Sequence, residues 1–190
     1  MKTLRPLLIT AFLPLTAPTA ALASECPAAP DHSEALAQLL NKVRVAPDAR
    51  AGQALSDQMW ALWATAPDET AQEALDAGMA KRSSYDFIGA IAEFDRLIAY
   101  CPDYAEGYNQ RAFVLFLQQD YAAALADLDR ALHRSPTHVA ALAGKALTLM
   151  GLNRLEEGQS VLRQALALNP WLPERNLVLP SSPAPLEQEL

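Results

Sequence analysis

The chain has 190 residues, of which 51% are hydrophobic and 19% charged, with a formal net charge of −7. An acidic chain with no basic run has nothing with which to neutralise phosphates, so nucleic acid is set aside as a partner. The same balance gives no electrostatic pull toward an anionic membrane, and the length suits one domain or one short array.

Lys2 and Arg5 precede an uncharged apolar run from Pro6 to Leu15, and Ala21-Leu22-Ala23 closes the stretch with small residues in the two places a signal peptidase needs. Positive start, short apolar middle and small-x-small exit together predict a secretory signal peptide over residues 1–23. The run is too short, and too broken by Pro6, Pro14 and Pro18, to span a bilayer as a helix. Glu25 directly before Cys26 does not fit a lipoprotein cleavage site. The expectation is export, with the periplasm as destination and no stable membrane insertion after cleavage. The leader carries two basic residues and no acidic ones, so the mature chain is more acidic still.

Residues 24–32 read as a flexible segment leading into helical sequence. Leu36, Leu39, Leu40 and Val43 form one apolar stripe, and Leu55, Met59, Leu62, Trp63 and Ala66 form another, both at helical spacing. Pro47 and Asp48 divide them, so residues 33–70 are expected as a helical hairpin, a degenerate repeat or cap. Trp60 and Trp63 would serve as a ligand platform only if they left the core that such stripes usually build.

Beyond the hairpin a period emerges. Pro102, Pro136 and Pro170 recur 34 residues apart. Gly78, Ala112 and Ala146 keep the same interval, as do Ala90, Ala124 and Gly158, and Phe94, Leu128 and Leu162. Within one copy, Tyr121, Ala124, Leu125, Leu128, Ala131 and Leu132 fall three or four apart as one stripe. The small residues let two antiparallel helices approach closely. Asp120 stands where a carboxylate caps free backbone N–H groups, and Pro136 ends the helix and turns the chain.

These residues resemble the tetratricopeptide-repeat family. In residues 105–138, Tyr108, Ala112, Leu115, Tyr121, Ala124, Leu128, Ala131 and Pro136 occupy the family's signature slots. Residues 139–172 match with Leu142, Ala146, Leu149, Gly158, Leu162, Ala165 and Pro170. Residues 71–104 depart from the pattern, with Ala74 for a large aromatic and Leu97 for a small residue. The resemblance implies an all-α fold, a right-handed α-solenoid of antiparallel helix pairs with three repeats behind the N-terminal hairpin. Residues 173–190 hold Pro173, Pro180, Pro183 and Pro185 and are expected to be largely disordered or laid along the surface, apart from a short turn.

Cys26 and Cys101 make an even count, which in an oxidising compartment favours a disulfide over two independent thiols. In a stack of antiparallel pairs, each first helix begins at the edge where each second helix ends. About seven extended residues reach roughly 20 Å, enough for Cys26 to cross one unit to Cys101.

No catalytic constellation is visible. There is no glycine-rich phosphate loop. His133 and His138 flank the helix-ending Ser135-Pro136, His32 lies near the flexible start, and no motif supplies a third metal ligand, so solvated loop histidines are expected. Asp127 and Asp129, two apart on a helix, point in different directions and read as a solvated face. No serine has a positioned base. The chain is therefore read as non-enzymatic, with no cofactor and no metal.

The resemblance implies a concave surface lined by the first helix of each pair. On this chain that groove comprises Met79, Arg82, Asn109, Gln110, Phe113, Phe116, Leu147 and Met150, and it is apolar in character. The family's carboxylate clamp carries Lys, Arg and Asn where this chain has Leu75, Met79, Gln110, Ala140 and Gly144, with only Asn109 close to the expected type. A groove rich in Met and Phe suits an amphipathic helix or apolar peptide strip. The leading expectation is a protein-binding module in the cell envelope whose partner is another protein or peptide. The alternative is a self-contained stack whose tail, through Leu177, Val178 and Leu179, covers its own groove.

Overall fold

A computed structural model describes residues 25–180, and the expected leader and the last ten residues lie outside that range. Eight α-helices follow in order: α1 Ser33–Arg44, α2 Ala49–Trp63, α3 Glu69–Ser83, α4 Phe87–Tyr100, α5 Ala105–Leu117, α6 Tyr121–Arg134, α7 Val139–Gly151 and α8 Leu155–Leu168. A short 3-10 turn, Pro173–Leu177, closes the described chain. Four helix starts are capped by aspartates: Asp48, Asp68, Asp86 and Asp120 each accept a backbone N–H three residues on.

Helices α3–α4, α5–α6 and α7–α8 pack as antiparallel pairs, and α4 and α6 pass the stack on to α5 and α7. The all-helical solenoid implied by the resemblance is what the described residues form. Each pair crosses where a small residue meets a large one. Ala112 and Ala146 are fully buried, as is Leu162, and Leu128 is nearly so. The first pair solves the same contact differently. Phe94 replaces leucine and Gly78 replaces alanine, and a Cβ on Gly78 would come within 2.3 Å of the Phe94 ring. Volume is conserved across the slot pair while its split changes.

The turn inside each pair repeats as strictly. Tyr85, Gln119 and Asn153 are the non-glycine residues with positive φ among those described, at 64°, 64° and 60°. Each sits just past a first helix, and the next residue donates its N–H back to Lys81, Leu115 or Leu149 O at 2.9 Å. This is the left-handed helix stop in which glycine is usual.

The N-terminal hairpin does not simply extend the stack. Stacked ahead of the first pair, α2 would lie along α3, yet the two scarcely touch. Instead α2 crosses the repeats. Trp63 lies by α5 and α7, where its carbonyl accepts the Tyr104 hydroxyl at 2.7 Å and its indole stacks on His138 at 4.1 Å between centroids. Tyr104 and His138 are the same repeat slot, 34 residues apart, so one tryptophan docks on two copies of one feature. Further along, Ser56 Oγ accepts from Asn169 Nδ2 at 2.8 Å, and Gly52 meets the Trp171 side chain. Helix α1 returns on the far side, where Arg44 Nε donates to Ala167 O at 3.2 Å. Leu39, Leu40, Val43 and Met59 share a core with Val139, Leu168, Trp171 and Leu172. The hairpin is thus a crossbeam of about 22 Å, at 1.5 Å per residue, between the first and last pairs. Cys26 and Cys101 are disulfide-bonded, with Cα atoms 5.2 Å apart, which fixes the segment ahead of α1 to the end of α4.

Candidate functional site

The first helices of the pairs bring Arg82 from α3, Phe113 and Phe116 from α5, and Leu147 from α7 onto one surface. They line a pocket of about 360 Å³ together with Asn109 and Gln110. Further lining comes from beyond the first helices of the pairs. Trp60 of α2 forms one wall, and Leu172, Pro173 and Glu174 form part of the rim. Met79 and Met150 sit apart: Met79 packs against the core of the first pair, and Met150 lies over Gly158 between α7 and α8. Phe113 remains 46% exposed, which makes it the most open ring of the site.

Arg82 is the cation of this lining. Its guanidinium lies 5.0 Å from the centroid of the Phe113 ring and donates to Gln110 Oε1. Burial lowers its pKa, and the nearby Glu106 carboxylate opposes that shift. Behind it lies a buried polar chain. Glu106 accepts from Gln110 Nε2 at 2.5 Å, from Asn109 Nδ2 at 3.0 Å and from His138 Nε2 at 2.8 Å. His138 Nδ1 accepts the Ala141 N–H at 3.3 Å, so Nε2 carries the proton and α7 is capped by an imidazole.

A buried carboxylate–imidazole pair resembles the heart of an acid–base site. Here both ring nitrogens are engaged, and the ring face is covered by Trp63, so neither nitrogen faces a substrate. The pair holds α5, α7 and the crossbeam together. This overturns the expectation of a solvated loop histidine at position 138, because the residue fills the buried slot that Tyr104 fills one repeat earlier. Asp127 is a second correction. It is buried, with Arg111 bidentate on it at 2.6 and 2.7 Å, while Asp129 stays exposed and pairs with Lys145. The Asp127 hydrogen bonds, with help from Asp95, raise the Arg111 pKa.

The tail residues Leu177, Val178 and Leu179 are partly exposed and do not line the pocket. Gln159 of α8 holds them by a bidentate amide, donating to Leu177 O and accepting from Leu179 N, both at 2.8 Å.

Residues 115–173 match a family model described as tetratricopeptide repeat. A TPR repeat-containing protein of Rhizobium etli is 38% identical over 60 residues, covering 32% of this chain and 29% of that protein. Tetratricopeptide repeat protein 36 of Xenopus tropicalis is 32% identical over 117 residues, covering 58% of this chain and 57% of that protein. The chain therefore spans from under a third to just over half of these curated relatives. Among solved structures, the TPR domain of Arabidopsis OM64 superposes with a TM-score of 0.56 at 20% identity, over 58% of this chain and 91% of that one. The second TPR domain of human RPAP3, solved with an HSP70 peptide, gives 0.55 at 23% identity over 58% and 92%. Residues 115–173 thus match the tetratricopeptide repeat, and the chain shares the fold of these solved tetratricopeptide-repeat domains.

Proposed function

We propose that this protein is an exported scaffold that binds a polypeptide segment at the concave pocket between Arg82, Phe113, Phe116, Leu147 and Trp60. The observation that carries the reading is convergence: side chains from three successive repeats and from the crossbeam meet on one apolar cavity of about 360 Å³. Such a cavity, with a few polar groups at its edge, is the ordinary form of a recognition site. The structural neighbours include a yeast Sti1 TPR domain in complex with an Hsp70 peptide, which supports a peptide as the class of ligand. The chain lacks the basic clamp positions, so the pocket is read as recognising an apolar side chain rather than a terminal carboxylate.

The pocket is also smaller than an open groove, because Trp60 and Leu172 wall it. A short segment with one bulky apolar residue fits better than a long helix. Action outside the cytoplasm is supported by the leader-like residues 1–23 and by the Cys26–Cys101 bond, since such bonds persist in oxidising compartments.

The test is a pull-down from the exported fraction with the mature protein and with Phe113→Glu/Phe116→Glu. The expected result is a band lost on substitution while helical circular dichroism is unchanged. Identical bands from both proteins would remove the pocket from consideration.

A further inference from the structure

The crossbeam is covalently attached to the stack at one end and docked on it non-covalently at the other. At its base, residues 64–68 lead into α3, and the disulfide ties Cys26 to the end of α4. Pro67, Cys26 and Cys101 line the same surface depression, so both attachments lie side by side. At its far end the hairpin is held by non-covalent contacts: Gly52 against Trp171, Ser56 to Asn169 and Arg44 to Ala167 O. Trp171 Nε1 at this far end, and Trp63 Nε1 where α2 packs on the repeats nearer the base, are buried without a hydrogen-bond partner. Undocking returns both donors to water, which offsets part of the apolar area lost.

We infer that the α1–α2 hairpin is a displaceable lid on the concave pocket, locked by the Cys26–Cys101 disulfide and released by a dithiol reductant. This rests on the reading of the pocket as a binding site. A hairpin held by two strands at its base cannot roll away from the groove, whereas one held by a single strand swings about it. Trp60 travels with the hairpin, so release removes a wall of the pocket and widens it toward an open groove able to take an amphipathic helix.

The redox step is ordinary thiol–disulfide exchange. Cys26 is partly exposed and Cys101 is buried, so a thiolate of the dithiol attacks Cys26 Sγ. Cys101 leaves as a thiolate and takes up a proton. The second thiol of the reductant then displaces Cys26 from the mixed disulfide. The protein gains two electrons and two protons, and the dithiol becomes a disulfide.

Hydrogen–deuterium exchange on the mature protein, oxidised and after dithiothreitol, tests the lock without any ligand. Amides of α1 and α2 are expected to exchange at least ten-fold faster in the reduced protein while α5 to α8 keep their protection. Cys26→Ser should reproduce the reduced pattern without reductant. Unchanged exchange in the hairpin, or a rise shared equally by α5 to α8, would overturn the proposal. A second readout addresses the pocket: fluorescence of an anilinonaphthalene sulfonate probe should rise several-fold on reduction, and Leu147→Glu should remove the pocket's share of that rise, leaving the part due to the uncovered hairpin core. Hairpin release with no Leu147-dependent rise would show a mobile hairpin that covers nothing, and the lid would fall. If the lid passes both tests while the Phe113/Phe116 pull-down is unaffected, only the binding reading fails.

Discussion

The Trp171 side chain lies so close over Gly52 that a Cβ added there would come within 2.3 Å of the indole Cγ. The contact joins the second helix of the chain to the residues just past the last one. Gly52→Ala would ordinarily raise helix stability by about 1 kcal/mol. Here the methyl has to push out a half-buried indole packed against the core of Leu39, Leu40, Val43, Met59 and Val139. Overpacking of this kind costs about 1–3 kcal/mol, so the expected net effect is a loss of up to about 2 kcal/mol in urea denaturation. A gain in stability would mean that Trp171 does not dock on α2.

Gly78 and Phe94 offer a cleaner test of slot complementarity. Gly78→Ala alone drives a methyl into the Phe94 ring and should destabilise the fold by about 1–2 kcal/mol. Phe94→Leu alone leaves a void where the ring was and should cost a similar amount. Together they recreate the alanine–leucine pairing of the other two repeats. The double variant is expected to be more stable than the sum of the single losses by about 1–2 kcal/mol, measured as a double-mutant cycle.

That pairing also shows what could be read ahead of the structure. The 34-residue period placed Gly78 and Phe94 in known slots, because packing of neighbouring pairs demands the same sizes at the same positions. The destination of the hairpin was not legible. Leu36, Leu39, Leu40 and Val43 announce an apolar face, but an amphipathic stripe does not name the surface that covers it. Its place just past the helix-ending Ser135-Pro136 makes His138 read as a loop residue, although its slot-mate Tyr104 carries the needed signal. Both positions precede a first helix, and both are buried under Trp63. Trp60 entered the pocket for the same reason that the hairpin's course was hidden: its role depends on a docking between residues more than a hundred positions apart.

Gln119 holds φ at 64° without the freedom of glycine. The left-handed region costs a residue with a Cβ about 1–2 kcal/mol, and the exposed side chain makes no packing that would be lost. Gln119→Gly relieves the strain but gives the unfolded chain more freedom. The balance should favour the variant by about 0.5–1 kcal/mol, seen as a higher urea midpoint with an unchanged slope. An unchanged or lower midpoint would place the cost of this turn elsewhere.

Acid should weaken the first pair. Lys81 and Arg96 both donate to Glu93, at 2.7 and 2.9 Å, and these bonds hold its pKa below the ordinary glutamate value. The Ala71 N–H and the Tyr100 hydroxyl do the same for Asp68, at the N-terminus of α3. A carboxylate whose pKa is lower folded than unfolded adds stability above its unfolded value, about 4. That stability is lost as the pH falls through the folded-state pKa. The urea midpoint of the wild-type protein should therefore hold between pH 7 and about 5 and drop below about 4. Glu93→Gln forfeits its share at every pH, so its midpoint should be lower at pH 7, and the two curves should draw together as the pH falls below about 4 and the wild-type glutamate protonates. Parallel curves across the whole range would mean that the ion pairs around Glu93 add nothing to folding, as exposed pairs sometimes do.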